Sequence, residues 1–354
     1  MVFIFLFFIL PLILLCGLDV FSSSARHRAS VYGSACLYIL IFSYTLVQQS
    51  GDFINYRESF ENVNSWREYI AGSTLKGYAF EPGFLLVYFL IKYLITTDGN
   101  TGVTIVTLLS GAGLLYFIPK YTRYFFIALL VYIAHFYWWL GIVLLRQMCA
   151  MVILFPVIGW IQETKWKKSL IVIGGASLFH ASALIFCLFL GMKKLCFFKY
   201  PWRVVALIGI VFLFGYMDIL KVTISLVSGY IPRGEILMNY LLQSSNRSMN
   251  LLAFVEMLVI LGIALKYRAR LQQDNRYTEI AIELLIGSLL LGGLFYRYEI
   301  GMRFVLYFNF YSFLILLPSF IAIVKQDWIN RSFYVGLLVS YLCVFLIRFV
   351  YITL

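Results

Sequence analysis

Along the chain, apolar stretches close to membrane-spanning length alternate with short polar connectors. The stretches run approximately 1–20, 31–49, 81–96, 101–118, 124–142, 143–161, 169–190, 203–220, 250–266, 278–296, 304–324 and 333–352. A helix rises 1.5 Å per residue, so such stretches match a hydrocarbon core of about 30 Å, where a continuous helix satisfies its own backbone. The pattern predicts an all-α polytopic membrane protein. Its architecture is a single transmembrane bundle over 1–354 of about 10–12 helices, with re-entrant segments where charge and span count disagree. Met1–Val20 is apolar from its second residue and lacks a basic leader or a small-residue cleavage site, so it reads as the first membrane helix.

The connectors carry the basic residues. Arg26–Arg28, Lys120–Arg123, Lys165–Lys168, Lys193–Arg203, Lys266–Arg276 and Lys325–Arg331 are all expected on the cytoplasmic side. One crossing over 169–190 would put Lys168 and Lys193 on opposite faces. A re-entrant 169–190, with two short arms meeting near Phe179-His180, removes the conflict and places Cys196 on the cytoplasmic side; an ordinary crossing is the alternative. The same parity problem recurs between 81 and 118. The outward polar stretches are then 50–80, 222–250 and 296–303, and chemistry is expected there. In the first of them, Trp66 and Tyr69 suit a short interfacial helix.

Composition narrows the class. Hydrophobic residues make up 62% and charged residues only 12%, which excludes a soluble globular fold. A net charge of +12 would point a soluble protein toward nucleic acid, but here the charge sits between apolar runs and sets orientation, so no nucleic-acid partner is expected. The cysteines at 16, 36, 149, 187, 196 and 343 are scattered without metal-ligand spacing, so neither a disulfide framework nor a metal site is implied. No repeat and no inverted pair of broken helices is visible, so transporter symmetry is absent from the pattern.

Charged residues inside apolar runs cost about 2.5–3.5 kcal/mol at the bilayer centre and so mark candidate sites. Arg146 stands within Gly141-Ile142-Val143-Leu144-Leu145-Arg146-Gln147, apolar for more than a turn before it, where either a substrate anion or a structural ion pair explains it. His180, among small residues in Phe179-His180-Ala181-Ser182-Ala183-Leu184, is either a packing residue or a donor or base toward substrate. His27 reads as cytoplasmic, and His135, beside Phe136-Tyr137-Trp138-Trp139, as part of an interfacial aromatic belt. Glu81, in Phe80-Glu81-Pro82-Gly83-Phe84, fits a helix N-cap as well as an acid/base role, and Asp52, four residues before Tyr56, has the same two readings. In Tyr296–Phe308, Arg297 and Arg303 stand with three tyrosines. Arg303 and Tyr307 share a helix face, and the arginine fork suits phosphate oxygens; a solvated loop with a positive edge is the alternative reading.

These residues in this order, namely Asp52 to Tyr56, Glu81-Pro82-Gly83-Phe84, Arg146-Gln147 with Ala150, Phe179 to Leu184, and Arg303 with Tyr307, resemble the EpsG-type family of Wzy polysaccharide polymerases, which make O-antigen, capsule or exopolysaccharide. The resemblance runs from about residue 50 to 310. It implies a glycosyltransferase of the GT-C type in the bacterial plasma membrane, joining undecaprenyl-diphosphate-linked oligosaccharide repeats at its outer face without cofactor or metal. The lipid-linked oligosaccharide is both donor and acceptor. Membrane lipids and a chain-length regulator are further partners. On that resemblance, Arg146 and Arg303, with Arg297 auxiliary, hold the diphosphate; Glu81 or Asp52 is the base; His180 and Tyr307 orient substrate; and Gln147 and Tyr56 support by hydrogen bonds. A lipid-linked-sugar flippase, an O-antigen ligase and a membrane acyltransferase are the competing readings.

Overall fold

The computed structural model describes residues 51–62, 80–195, 197–199, 201–227, 250–324 and 327–353, with 12, 15–17 and 19. The expectations for Met1–Val20 as a whole, 31–49, His27, Trp66, Tyr69, Cys196 and most of 222–250 lie outside the described residues. Among the described residues every regular element is helical. In chain order these are α1 (Gly51–Asn62), α2 (Pro82–Leu94), α3 (Gly99–Tyr121), α4 (Phe125–His135), a π-helix (Tyr137–Val143), α5 (Leu145–Gln162), α6 (Trp166–Ser177) and a 3-10 helix (Ala181–Leu184). There follow α7 (Ile185–Lys194), α8 (Pro201–Tyr216), α9 (Ile219–Val227), α10 (Leu251–Lys266), α11 (Arg268–Asp274), α12 (Thr278–Leu294), α13 (Glu299–Ser319) and α14 (Trp328–Thr353). Three described segments are long and apolar enough to cross a membrane: Gly99–Tyr121, Leu145–Gln162 and Gly301–Ile323. Shorter apolar helices include Pro82–Leu94, Phe125–His135, Arg203–Tyr216 and Ile329–Val344.

The apolar pattern located these helices well, and its departures have local causes. The run 124–142 is α-helical only to His135 and then widens into the π-helix, whose last turn closes with Leu144 N–H on the Trp139 carbonyl at 2.6 Å. The run 203–220 breaks at Asp218, whose φ of 58° lies in the left-handed region, which aspartate tolerates better than most residues. The run 169–190 is interrupted at Leu178–His180, between α6 and the 3-10 helix leading to α7. At 12 and 10 residues, α6 and α7 are about 18 and 15 Å long, so neither alone spans the hydrocarbon core.

The residues group into two compact units, Met1–Leu184 with Ile321–Leu354, and Ile185–Phe320. In the first, α5 packs on α6, α1 on α3, and α14 on α4. Phe53, Tyr56, Phe60, Phe84, Tyr88, Ile91, Val103, Val106 and Leu145 form one buried cluster there. The start of α3 is fixed locally: Asp98 accepts from Thr101 N–H at 2.8 Å and Thr101 Oγ at 2.6 Å, and these bonds hold its carboxyl below the usual range. The start of α4 is instead capped from a distance, because Asp19 Oδ2 accepts from the N–H groups of Phe126 at 2.6 Å and Ile127 at 3.1 Å. The part-buried Asp19 bonds, being charge-assisted, contribute about 1.5–3 kcal/mol each.

In the second unit, α12 packs on α13, α8 and α10. Phe186, Phe189, Phe308 and Tyr311 build its aromatic centre, with Phe186 5.2 Å from Phe308 and 5.7 Å from Tyr311 between ring centroids. Lys193 closes α7 onto Glu283 of α12 with Nζ 2.5 Å from its carboxylate. Tyr298, just before α13, donates to Asp218 Oδ1 at 2.5 Å; burial, and then that carboxylate, raise its phenol well above the usual range.

Candidate functional site

Three stretches of the first unit meet at one carboxylate. Glu81 precedes α2 in an extended conformation (φ −68°, ψ 147°), and Pro82, with its fixed φ and missing N–H, starts the helix immediately after it. The N-cap reading of Glu81 predicts that its side chain bonds the first turn of its own helix, and it makes no such bond. The carboxylate turns away instead. Arg146 Nη1 donates to Oε2 at 2.5 Å, and Ala181 N–H donates to Oε1 at 3.3 Å. His180 Nδ1 stands 3.8 Å from the same Oε1, beyond hydrogen-bond reach.

The irregular backbone supplies the partners. Because the π-helix ends at Leu144, Arg146 lies in the first turn of α5 and not within a continuous helix, as its apolar surroundings suggest. The N–H groups of a first turn have no intrahelical acceptor. The N–H groups of Ala181 and Ser182, at the start of the 3-10 helix, are likewise spare, and Glu81 and His180 accept from them. π-Helical segments and helix breaks of this kind recur at functional sites.

The cluster is partly sheltered: the side chains of Arg146 and Glu81 are 22% and 18% exposed, so the pair is neither solvated away nor sealed off. Breaking a fully buried pair by removing one partner costs about 3–5 kcal/mol, and less at this exposure. The Arg146 guanidinium lies 4.4 Å above the Phe80 ring. Tyr56 donates to the Val143 carbonyl at 3.2 Å, its hydroxyl also meets Arg146, and its ring lies 5.9 Å from that of Phe84. Arg146 Nε and the Tyr88 hydroxyl are both buried without a hydrogen-bond partner among the described residues. Gln147 is fully buried beside Arg146 in sequence.

Gly83 holds this arrangement. Its N–H donates to the Leu178 carbonyl at 2.8 Å, and a Cβ at this position would sit 2.8 Å from that oxygen and 2.9 Å from Leu178 Cβ. Backbone cannot swing aside as a side-chain tip does. Gly83→Ala is therefore expected to push Leu178–His180 away from Glu81 and destabilise the protein by about 1–3 kcal/mol, as overpacking does. A thermal midpoint of the purified protein equal to wild type would show that this contact yields freely.

Of the residues singled out in the sequence, the structure joins Glu81, Arg146, His180 and Tyr56. Asp52 is one turn before Tyr56 in α1, takes Asn55 Nδ2 at 3.5 Å, and makes no ion pair with Arg146. Arg303, Tyr307 and Arg297 belong to the second unit. Tyr307 is fully buried with its ring 6.3 Å from Phe186, Arg303 is part-exposed on the same helix face, and exposed Arg297 lies 5.7 Å from the Tyr216 ring. Sequence reasoning missed Asp19, Asp218 and Glu283 as paired carboxylates. Glu283, an acid within the apolar α12, was the one with a legible signal.

Fold and site together define a helical membrane protein with a carboxylate, a guanidinium and an imidazole gathered where three helical segments begin or break. The chain belongs to the EpsG family, whose model matches residues 30–354, nearly its whole length. It is accordingly a polysaccharide-polymerase-like membrane protein of glycosyltransferase character. No curated protein and no solved structure matches it.

Proposed function

We propose that this protein is a Wzy-type polymerase, a GT-C-like bundle of about 10–12 helices in the bacterial plasma membrane, joining undecaprenyl-diphosphate-linked oligosaccharide repeats at the outer face. The observation that carries this reading is Glu81, paired with Arg146 and anchored on Ala181 N–H beside His180. In glycosyl transfer from a lipid diphosphate, the bond from the donor sugar to the diphosphate breaks and its electron pair leaves with the phosphate oxygen. An acceptor hydroxyl forms the new glycosidic bond and releases a proton. A cation near the leaving oxygen and a base near the hydroxyl both lower the barrier.

The pair supplies these groups together. A diphosphate outbids one carboxylate for the guanidinium, so substrate draws Arg146 from Glu81 and frees the Glu81 carboxylate to take the proton of the acceptor hydroxyl. His180 orients the sugar, while Tyr56 and Gln147 steady Arg146. Arg303, with Arg297 auxiliary and Tyr307 supporting, is the second unit's own candidate for diphosphate recognition, by its fork chemistry.

The deciding experiment is the glycan profile of cells lacking the gene. Single repeats on the carrier support polymerisation, complete absence of exported glycan indicates flipping, and unaltered chain length with lost acyl groups indicates acylation. In the same assay, Arg303→Lys is expected to restore long chains poorly, because it keeps the charge and loses the planar fork. Full-length polymer from Arg303→Lys would remove Arg303 from diphosphate recognition.

A further inference from the structure

Proton placement at His180 is set by a neighbour that the catalytic reading does not include. Ser182 N–H donates to His180 Nδ1 at 3.3 Å, and Ser182 Oγ lies 2.8 Å from the same nitrogen. A backbone N–H cannot reverse its role, so this bond requires Nδ1 to be an acceptor. Neutral imidazole with an acceptor Nδ1 carries its proton on Nε2. The spacing to Glu81 agrees. Glu81 Oε1 takes the preceding N–H, that of Ala181, at 3.3 Å and stays 3.8 Å from Nδ1, as two lone-pair-bearing acceptors do. Adjacent N–H groups at the start of one 3-10 helix thus hold two acceptors side by side without a proton between them.

We propose that Ser182 is a positioning residue that locks His180 in the tautomer protonated at Nε2, so that His180 meets the sugar substrate as a hydrogen-bond donor and not as its base. The assignment of a sugar rests on the polymerase reading above; the tautomer does not. The division of labour is then fixed: Glu81 accepts the proton, and His180 offers one from Nε2 to a substrate oxygen. Were the proton on Nδ1, the imidazole would turn its N–H toward Glu81 and compete with Ala181 for the carboxylate.

The experiment uses the full-length protein in detergent with 15N-histidine. The sequence has 3 histidines, so His27→Gln and His135→Gln leave His180 as the single signal. A multiple-bond 15N–1H correlation, recorded above about pH 8 where an ordinary imidazole is neutral, reads which ring nitrogen carries the proton. The expected spectrum has a bare Nδ1 and a protonated Nε2. Ser182→Ala removes the hydroxyl and keeps the backbone donor, which should shift the tautomer ratio roughly fivefold toward Nδ1–H, the effect of losing one ordinary hydrogen bond. Ser182→Thr should restore it. In membranes, Ser182→Ala should lower the polymerisation rate at saturating lipid-linked repeat, extracted from cells lacking the gene, with little change in the half-saturating concentration. A proton on Nδ1 in the otherwise native protein overturns the proposal, and so does a Ser182→Ala spectrum identical to it. If the spectra behave as expected while deletion of the gene leaves the glycan unaltered, the polymerase reading fails and the Ser182 lock stands.

Discussion

The double variant Glu81→Ala with Arg146→Ala is expected to reach the membrane at close to the wild-type level and yet to leave the glycan as single repeats. The pair predicts this separation of abundance from activity. Arg146→Ala alone leaves the Glu81 carboxylate part-buried and uncompensated, so folded protein should fall along with polymer. Deleting both partners removes the orphaned charge, and abundance should recover, as it does when a sheltered ion pair is replaced as a unit. Polymerisation should not recover. Losing a preorganised cation at a leaving oxygen costs about a hundredfold or more in rate. Immunoblot of the membrane fraction gives the first quantity and the ladder of chain lengths the second. Long polymer from the double variant would make the pair structural and move the chemistry elsewhere.

Glu81→Gln is expected to abolish polymerisation while Asp52→Asn retains most of it. Glutamine keeps the shape of Glu81 and one acceptor oxygen, enough for Arg146 or for Ala181 N–H but not both, and its amide has no useful basicity at neutral pH. Among the described residues Asp52 takes a hydrogen bond from its helix neighbour Asn55, at 3.5 Å, and asparagine keeps an oxygen for that bond. The comparison is made at matched protein level in the same chain-length assay. Full-length polymer from Glu81→Gln would reduce Glu81 to an anchor for Arg146 and Ala181. Loss confined to Asp52→Asn would transfer the base role to α1.

How far the sequence anticipated this site depends on distance along the chain. Apolar runs announce helices locally, so α2, α3, α5, α12 and α13 lie where hydropathy put them, and the conflict of basic clusters on either side of 169–190 pointed to the interruption near His180. The identity of Glu81's partner left no local trace, because Arg146 is 65 positions away and, read alone, Glu81 is a cap or a base and Arg146 calls for an anion that its own neighbourhood does not name. Asp19 capping α4 across 107 positions is invisible for the same reason. The π-helix was hidden differently. Tyr137–Val143 is as apolar as its flanks, and a change of pitch alters neither composition nor length enough to register in a hydrophobic run. Gly83 could be noticed as a glycine near a helix start, but only the approach of Leu178 explains why no side chain fits there.

The long separation between Glu81 and Arg146 also bears on how the chain enters the bilayer during synthesis. The α2 helix of 13 residues is about 20 Å long, too short to span the core by itself, and the carboxylate ahead of it adds a desolvation cost if it goes in alone. Its guanidinium partner emerges from the ribosome 65 residues later. Until then α2 has neither the length to span the core alone nor a cation for its carboxylate, so its release into lipid is expected to follow the synthesis of α3, α4 and the start of α5. The stretch from Glu81 to Arg146 is therefore expected to enter the membrane together, and a nascent chain stopped before Arg146 should leave α2 accessible to an aqueous protease.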